Sequence, residues 1–179
     1  MRVPTLLALL VLAACPIQPD NFGDGGPDGG PSDGGVATTD AGAPASGSVS
    51  CLVGSAYQTL SAAWSGADLA GTTGSGSSVG IQAVNGASGS LTLTFIGLVP
   101  GSTAGSLAAA SYQAPSGFMP QDSWSCSSDC SAVSTAFAYD GAHVTGSFSQ
   151  LDFPAAQSST GADPLSLTNL SFAVTLPSP

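Results

Sequence analysis

A serine, a histidine and an aspartate could together perform acyl-transfer chemistry in this chain of 179 residues. Ser78 lies in the segment 76–80, Gly-Ser-Ser-Val-Gly, which matches the Gly-x-Ser-x-Gly pattern, and His143 is the only histidine. The pattern marks a nucleophile only where a strand turns into a helix. Here the segment leads into a strand, and His143 follows Asp140-Gly141, a turn in which aspartate bonds its own backbone. We therefore expect no catalytic residue, and a hydrolase is only an alternative.

Aromatic side chains are the better indication of binding. Trp64, Tyr112, Phe118 and Trp124 could form an exposed platform for a glycan or a peptide, because such rings offer broad apolar faces. Phe118 lies among the turn-forming residues of the segment 114–120, whose tip could present apolar side chains. The alternative interpretation, which the sequence favours, is that these rings close the ends of a hydrophobic core.

The amino terminus has the layout of a bacterial export signal, residues 1–14. Arg2 supplies a positive charge, and the apolar run 6–14 would rise only about 14 Å as a helix, too short for a bilayer core. The run ends in Leu12-Ala13-Ala14-Cys15, which resembles the lipobox of bacterial lipoproteins. The resemblance implies cleavage before Cys15, a diacylglycerol thioether on its sulfur and acylation of the new amine.

A lipid-modified Cys15 would be the membrane anchor of the chain, because two or more acyl chains hold a protein firmly. The lipoprotein resemblance also implies residence in the bacterial cell envelope. Pro16, which follows the cysteine, favours delivery to the outer membrane over the inner membrane. An ordinary secretory signal peptide is the alternative.

Three further cysteines are Cys51, Cys126 and Cys130. Disulfides are expected in a protein exported from the cytoplasm. The short spacing favours a bridge from Cys126 to Cys130, which would leave Cys51 free, and pairing of Cys51 with either partner is the alternative. Three thiols and a single histidine make a poor zinc site, so we expect no metal and no other cofactor.

The charge balance excludes two classes of partner. Once the signal peptide is removed, the chain has eleven Asp and no Glu, Lys or Arg. Nucleic acid and anionic lipid surfaces both require cationic side chains, so neither is an expected partner.

Residues 15–49 are rich in Gly, Asp and Pro and contain little apolar surface. Such a segment cannot offset the entropy of ordering its backbone, so it predicts a disordered tether with an end-to-end distance of about 30–35 Å. Asp-Gly pairs also occur in calcium-binding repeats. Their irregular spacing here favours a solvated spacer.

The sequence of residues 50–179 predicts one all-β domain. Apolar residues alternate with polar ones in 79–83 and in 91–95, and the turn pair Asn85-Gly86 between them indicates a β-hairpin. Alternation is clearest in 170–176, whereas 57–64 fits either a helix or a strand.

A second hairpin is expected to turn at Asp140-Gly141, and its first strand should present Val133, Phe137 and Tyr139 on one face. Short strands separated by turns predict an antiparallel β-sandwich or a partly open β-barrel.

The closing strands, 144–149 and 167–174, resemble those of uncharacterised β-domains in bacterial lipoproteins, with Leu170 where that pattern usually has glycine. The resemblance implies a fold and a location but no activity. We therefore expect a non-catalytic, lipid-anchored envelope protein that presents a β-domain for binding or adhesion to a glycan or protein ligand. A structural accessory of an envelope assembly is the alternative.

Overall fold

A computed structural model of the chain describes residues 43–127, 130–154 and 163–178. Within these ranges ten strands form two five-stranded antiparallel sheets, which pack face to face as a β-sandwich. Sheet 1 has the order β2-β1-β10-β9-β8 and sheet 2 the order β3-β4-β5-β6-β7. The strands are β1 (Ser46–Gly54), β2 (Thr59–Ser65), β3 (Thr73–Ser75), β4 (Ser78–Asn85), β5 (Gly89–Ile96), β6 (Ser106–Gln113), β7 (Ser123–Cys126), β8 (Ser131–Tyr139), β9 (His143–Phe153) and β10 (Leu165–Thr175).

The first predicted hairpin is formed by β4 and β5, which turn after Asn85. Ile81 lies opposite Leu93 and Ala83 opposite Leu91, and all four side chains are buried. Residues directly opposite in an antiparallel pair share a face, so the alternation read from the sequence defines the core-facing side of sheet 2.

Four phenylalanines join the two sheets at the centre of the sandwich. The ring of Phe95, from sheet 2, lies 5.2 Å from Phe137, 5.5 Å from Phe172 and 6.3 Å from Phe148, measured between centroids. The last three come from sheet 1. Tilted and offset contacts of this kind are the geometries that aromatic rings prefer.

The β8–β9 hairpin turns at Asp140-Gly141 as predicted, but Val133 does not share a face with Phe137 and Tyr139. Phe137 and Tyr139 are buried, whereas Val133 is 55 % exposed. The pairing of β8 with β9 shifts twice between Val133 and Ala136. A bulge changes which residues face the core, and the alternation pattern cannot show it.

Another bulge lies in β10. Ser50 pairs with Ser171 and Leu52 with Thr168, so β10 has one residue more than β1 in this interval. Asn169 is the extra residue. Its φ of +53° lies in the left-handed region, which asparagine tolerates better than most residues. The bulge therefore lies next to Leu170, the position where the lipoprotein pattern usually has glycine.

Two segments differ from the sequence-based boundaries. The segment 57–64, left open between helix and strand, supplies most of β2, and a 3-10 helix, Gly66–Leu69, follows it. β1 begins at Ser46, so residues 46–49 belong to the β-domain rather than to the tether. The predicted signal peptide, Cys15 and most of the predicted tether lie outside the described residues. No helix among those described is long and apolar enough to cross a membrane.

Candidate functional site

The four aromatic residues proposed as a binding platform are all buried. Trp64, Tyr112 and Trp124 are each 1 % exposed, and Phe118 is 3 % exposed. Tyr112 and Trp124 lie side by side on paired strands, with ring centroids 6.3 Å apart. These rings therefore belong to the core, and they present no exposed aromatic surface.

The polar ring atoms of Trp64, Tyr112 and Trp124 all bond backbone carbonyls. Trp64 Nε1 donates to the carbonyl oxygen of Gly89 at 3.0 Å, and the Tyr112 hydroxyl donates to that of Ser88 at 3.0 Å. Trp124 Nε1 donates to the carbonyl oxygen of Asp163 at 2.9 Å. Burial of an aromatic N–H or O–H costs little when it finds such a partner. The donors are thus engaged structurally and are not available to a ligand.

His143 and Asp140 form a contact within the β8–β9 turn. Asp140 Oδ1 accepts the backbone N–H groups of Ala142 and His143, and Asp140 Oδ2 lies 2.9 Å from His143 Nδ1. The backbone N–H of Ala142, together with the side chain and backbone of His143, lowers the pKa of Asp140 to about 2. Both side chains are more than half exposed. The contact stabilises a turn that is exposed to solvent.

A depression of about 250 Å³ beside this turn is lined by His143, Thr145 and Ser102, among others. A carboxylate–imidazole pair can activate a hydroxyl only when that hydroxyl is within hydrogen-bond reach of the imidazole. The Ser102 hydroxyl instead donates to the carbonyl oxygen of Val99 at 2.7 Å. Among the described residues, Asp140 is the sole hydrogen-bond partner of the His143 side chain.

Ser78 is not brought into a catalytic arrangement with His143. It begins β4, and its hydroxyl donates to the carbonyl oxygen of Ser75 at 3.1 Å, across the tight turn from β3. The strand-to-helix elbow that the Gly-x-Ser-x-Gly pattern requires is not present at this position, since 76–80 joins two strands.

The predicted disulfide between Cys126 and Cys130 is formed, and Cys51 is a buried free thiol. Burial raises the pKa of the Cys51 thiol to about 12, so it stays protonated at neutral pH and is a poor nucleophile. The disulfide closes a loop of five residues between β7, an edge of sheet 2, and β8, an edge of sheet 1. It fixes the point where the chain passes from one sheet to the other.

No family model matches the chain, and no similar curated protein or solved structure was found.

Small hydroxyl-bearing side chains are frequent on the outward faces of both sheets, where Leu52, Val84 and Ile96 are exposed as well. On sheet 2 the hydroxyl-bearing residues include Ser90, Thr92, Thr94 and Ser111, and on sheet 1 Ser48, Ser50, Ser61, Thr145, Ser147, Ser171 and Thr175. Among the described residues there is no Lys or Arg, and the carboxylates Asp68, Asp122, Asp140, Asp152 and Asp163 all lie in or near turns and strand ends. The broad faces of the sandwich consequently carry almost no charge.

The feature that the sequence analysis missed is an exposed edge strand. In β8 the six consecutive residues Ser131–Ala136 are exposed, and burial begins only at Phe137. One signal was available in the sequence, because this half of the strand has no large apolar residue except Val133. That β8 lies at the edge of its sheet depends on the order of the strands, which alternation does not reveal.

Proposed function

We propose that this protein is a non-catalytic, lipid-anchored protein of the bacterial cell envelope whose β-sandwich serves in binding or adhesion. The main support for the absence of catalysis is that the reactive side chains lie apart from one another. Ser78 bonds the backbone of Ser75, His143 bonds Asp140, and Cys51 is buried in the core, so the three do not converge. Catalysis by acyl transfer needs a nucleophile, a base and an oxyanion site within hydrogen-bond reach of one another.

The anchor is supported by the signal-like segment ending in Leu12-Ala13-Ala14-Cys15. The Gly, Asp and Pro composition that follows it supports a spacer between a lipid and the folded domain. A spacer of this length would hold a binding domain some tens of ångströms from the bilayer, which suits a role in reaching a ligand.

The anchor is tested by comparing the wild-type chain with Cys15→Ala in cell fractionation. We expect the wild type to sediment with membranes and to require detergent for release, and Cys15→Ala to lose both properties. Ser32→Ala, within the predicted tether, is the matched control and should fractionate as wild type. Mass spectrometry of the amino-terminal peptide should show the acyl chains on Cys15. Detergent-dependent release of Cys15→Ala would refute the anchor.

Separation of outer and inner membranes on a density gradient then tests the location. We expect the wild-type protein in the outer-membrane fraction.

A structural accessory role is the second candidate, and the hydroxyl-rich faces with all four aromatic candidates buried favour it. Chemical crosslinking in intact cells distinguishes the two roles. An accessory should yield one stable crosslinked partner at constant ratio, whereas a binding or adhesion protein should yield crosslinks that depend on the presence of its ligand.

A further inference from the structure

Two hairpin turns of the domain use a side-chain oxygen in the same way. In the β4–β5 turn, Asn85 Oδ1 accepts the backbone N–H groups of the second and third residues after it, at 3.1 and 2.7 Å. In the β8–β9 turn, Asp140 Oδ1 accepts the two corresponding N–H groups, at 2.8 and 2.6 Å. An amide oxygen and a carboxylate oxygen both accept hydrogen bonds, so this half of the contact suits either residue type.

The second polar atom of each side chain has the opposite requirement. Asp140 Oδ2 lies 2.9 Å from Nδ1 of the His143 ring. Asn85 Nδ2 faces two acceptors instead, since it donates to the carbonyl oxygen of Ala63 at 2.9 Å and to Asp68 Oδ2 at 3.0 Å. An ionised carboxylate has no proton to donate. The β4–β5 turn therefore requires an amide at position 85.

The amide of Asn85 holds the turn against β2 and against the 3-10 helix. Ala63 lies in β2, and Asp68 lies in the helix. Next to this contact, the Ser88 hydroxyl bonds the N–H and the carbonyl oxygen of Ala63, each at 3.0 Å. β2 is an edge strand of sheet 1, and these bonds cover its free side.

We propose that Asn85 is a site of spontaneous deamidation, and that the carboxylate formed there releases the β4–β5 turn from β2. Asn85 is followed by Gly86, the residue type that hinders attack on the side chain least, because it has no Cβ. The described residues contain one other asparagine, Asn169, which is followed by leucine. The proposal goes beyond the binding role proposed above and does not depend on it.

The reaction is an intramolecular displacement that requires only water. The backbone nitrogen of Gly86 attacks Cγ of Asn85 and forms a succinimide ring, while the side-chain nitrogen takes up the displaced proton and leaves as ammonia. Water then opens the ring. Cleavage of the bond from the ring nitrogen to Cγ gives aspartate, and cleavage of its bond to the backbone carbonyl carbon gives isoaspartate, which has one more backbone methylene. Both products carry a carboxylate in place of the amide.

The aspartate product is repelled by the partners that the amide binds. An oxygen replaces Nδ2, which lies 3.0 Å from Asp68 Oδ2 and 2.9 Å from the carbonyl oxygen of Ala63. The hydrogen bond from Asn85 lowers the pKa of Asp68, whereas a second carboxylate at this distance disfavours its ionised form. The turn must therefore move away from β2, which separates the N–H of Ala63 from the Ser88 hydroxyl.

The folded turn protects Asn85 from the reaction. Attack requires Cγ to approach the nitrogen of Gly86, and in the folded turn both polar atoms of the side chain are held by hydrogen bonds. The reaction therefore proceeds from molecules in which the turn has opened, at a rate proportional to their population. Because hydrolysis is irreversible, the modification records how long the domain has spent open.

The reaction is tested by incubating the purified full chain at mildly alkaline pH, with and without urea. Peptide mass spectrometry should show replacement of NH2 by OH at Asn85, and unfolding in urea should raise the rate at least about tenfold. Asn169 is the internal control and should react more slowly than Asn85 in the unfolded chain. Gly86→Ala, whose added Cβ has no atom within 4 Å, should keep the turn and slow the reaction at Asn85.

Asn85→Asp supplies the aspartate product directly. It should lower the melting temperature at neutral pH by about 5 °C or more, and the amide of Ala63 should exchange its hydrogen faster than in the wild type. The difference in melting temperature should shrink as the pH falls toward about 4, because protonation of either carboxylate removes the repulsion. Asn169→Asp adds the same charge at an exposed position and should change the melting temperature by less than about 2 °C.

Asp68→Asn separates the repulsion from other effects of the new carboxylate. In the Asn85→Asp background it places a donor opposite an acceptor again, with the two roles exchanged, and should recover at least about half of the lost melting temperature. In the wild-type background the same change removes a charge-assisted hydrogen bond and should not stabilise the domain.

Four results would overturn the proposal: reaction at Asn85 no faster than at Asn169 in the unfolded chain, equal rates at Asn85 with and without urea, wild-type stability of Asn85→Asp, and equal effects of Asp68→Asn in the two backgrounds. None of these results bears on the membrane anchor, which Cys15→Ala tests separately.

Discussion

The indole nitrogen of Trp64, in sheet 1, donates a hydrogen bond to the carbonyl oxygen of Gly89, in sheet 2, at 3.0 Å. Trp124 makes the converse connection, from sheet 2 to Asp163 at the entry of β10. The sandwich is thus held by directed bonds between its sheets in addition to apolar contacts.

Replacing Trp64 by phenylalanine should destabilise the domain. Trp64→Phe removes the donor of a buried hydrogen bond to the carbonyl of Gly89, and we expect a loss of about 1–3 kcal/mol before any cavity is counted. The free energy of unfolding from urea titration measures the loss. Tyr57→Phe, at a residue 70 % exposed, should change it by less than about 0.5 kcal/mol. An equal effect of the two variants would show that the inter-sheet bond contributes nothing.

A side chain at Gly89 should prevent normal pairing of β5 with β6. Gly89 has a φ of +81°, and an added Cβ would lie 2.2 Å from the carbonyl oxygen of Gln113. Gly89→Ala should therefore lower the melting temperature by many degrees or abolish folding. Gly86→Ala, in the same turn but with no atom within 4 Å of the added Cβ, is the matched control. A melting temperature of Gly89→Ala close to that of the control would contradict this account.

The Cys126–Cys130 disulfide should contribute about 2 kcal/mol, because it closes a short loop and constrains the unfolded chain only slightly. The double variant Cys126→Ala with Cys130→Ala should lose that amount in urea titration. Reduction of the wild type by dithiothreitol should give the same loss, and should not affect the double variant. A loss after reduction of the double variant would point to another bridge.

The bulge at Asn169 should tolerate glycine and reject β-branched residues. Asn169→Gly removes the steric cost of the positive φ and should keep the wild-type stability within about 1 kcal/mol. Asn169→Val should lose about 1–2 kcal/mol, since a β-branched side chain fits that conformation poorly. Ser171→Val, at an exposed position of the same strand with ordinary backbone, should be neutral. Equal stability of the two valine variants would argue against the strain.

The parts of the fold that the sequence predicted are local. The β4–β5 hairpin follows from alternation on both sides of Asn85-Gly86, and the same is true of the turn at Asp140-Gly141. In each case the turn residues and the strand pattern lie within about ten residues of each other. The Cys126–Cys130 bridge was also predicted from local spacing.

The parts that could not be predicted depend on distant neighbours. Trp64 is buried because β2 lies against the turn at Ser88 and Gly89, more than twenty residues away. Val133 turns outward because β8 and β9 are bulged against each other. The exposed edge exists because β8 ends sheet 1, and strand order is not encoded in the alternation of any single strand.

The stability of the domain should fall as the pH drops from about 4 to about 2, and Asp140 should account for part of that fall. Hydrogen bonds from the backbone N–H of Ala142 and from His143 lower the pKa of Asp140 to about 2, whereas in the unfolded chain it lies near 3.9. Between these values the unfolded state binds more protons, so protonation favours unfolding. Above the unfolded pKa the contribution is fully present, and it is lost as the pH approaches 2.

Asp140→Asn keeps a side-chain oxygen for the turn but removes this titration, so its stability should depend less steeply on pH in that window. Urea titrations at several pH values from 2 to 6 measure the slope. Asp68 should behave in the same direction, because hydrogen bonds from Asn85 and from the backbone of Ser65 lower its pKa. If Asp140→Asn and the wild type had the same slope between pH 4 and 2, the bonds in the β8–β9 turn would not favour the ionised carboxylate in the folded state.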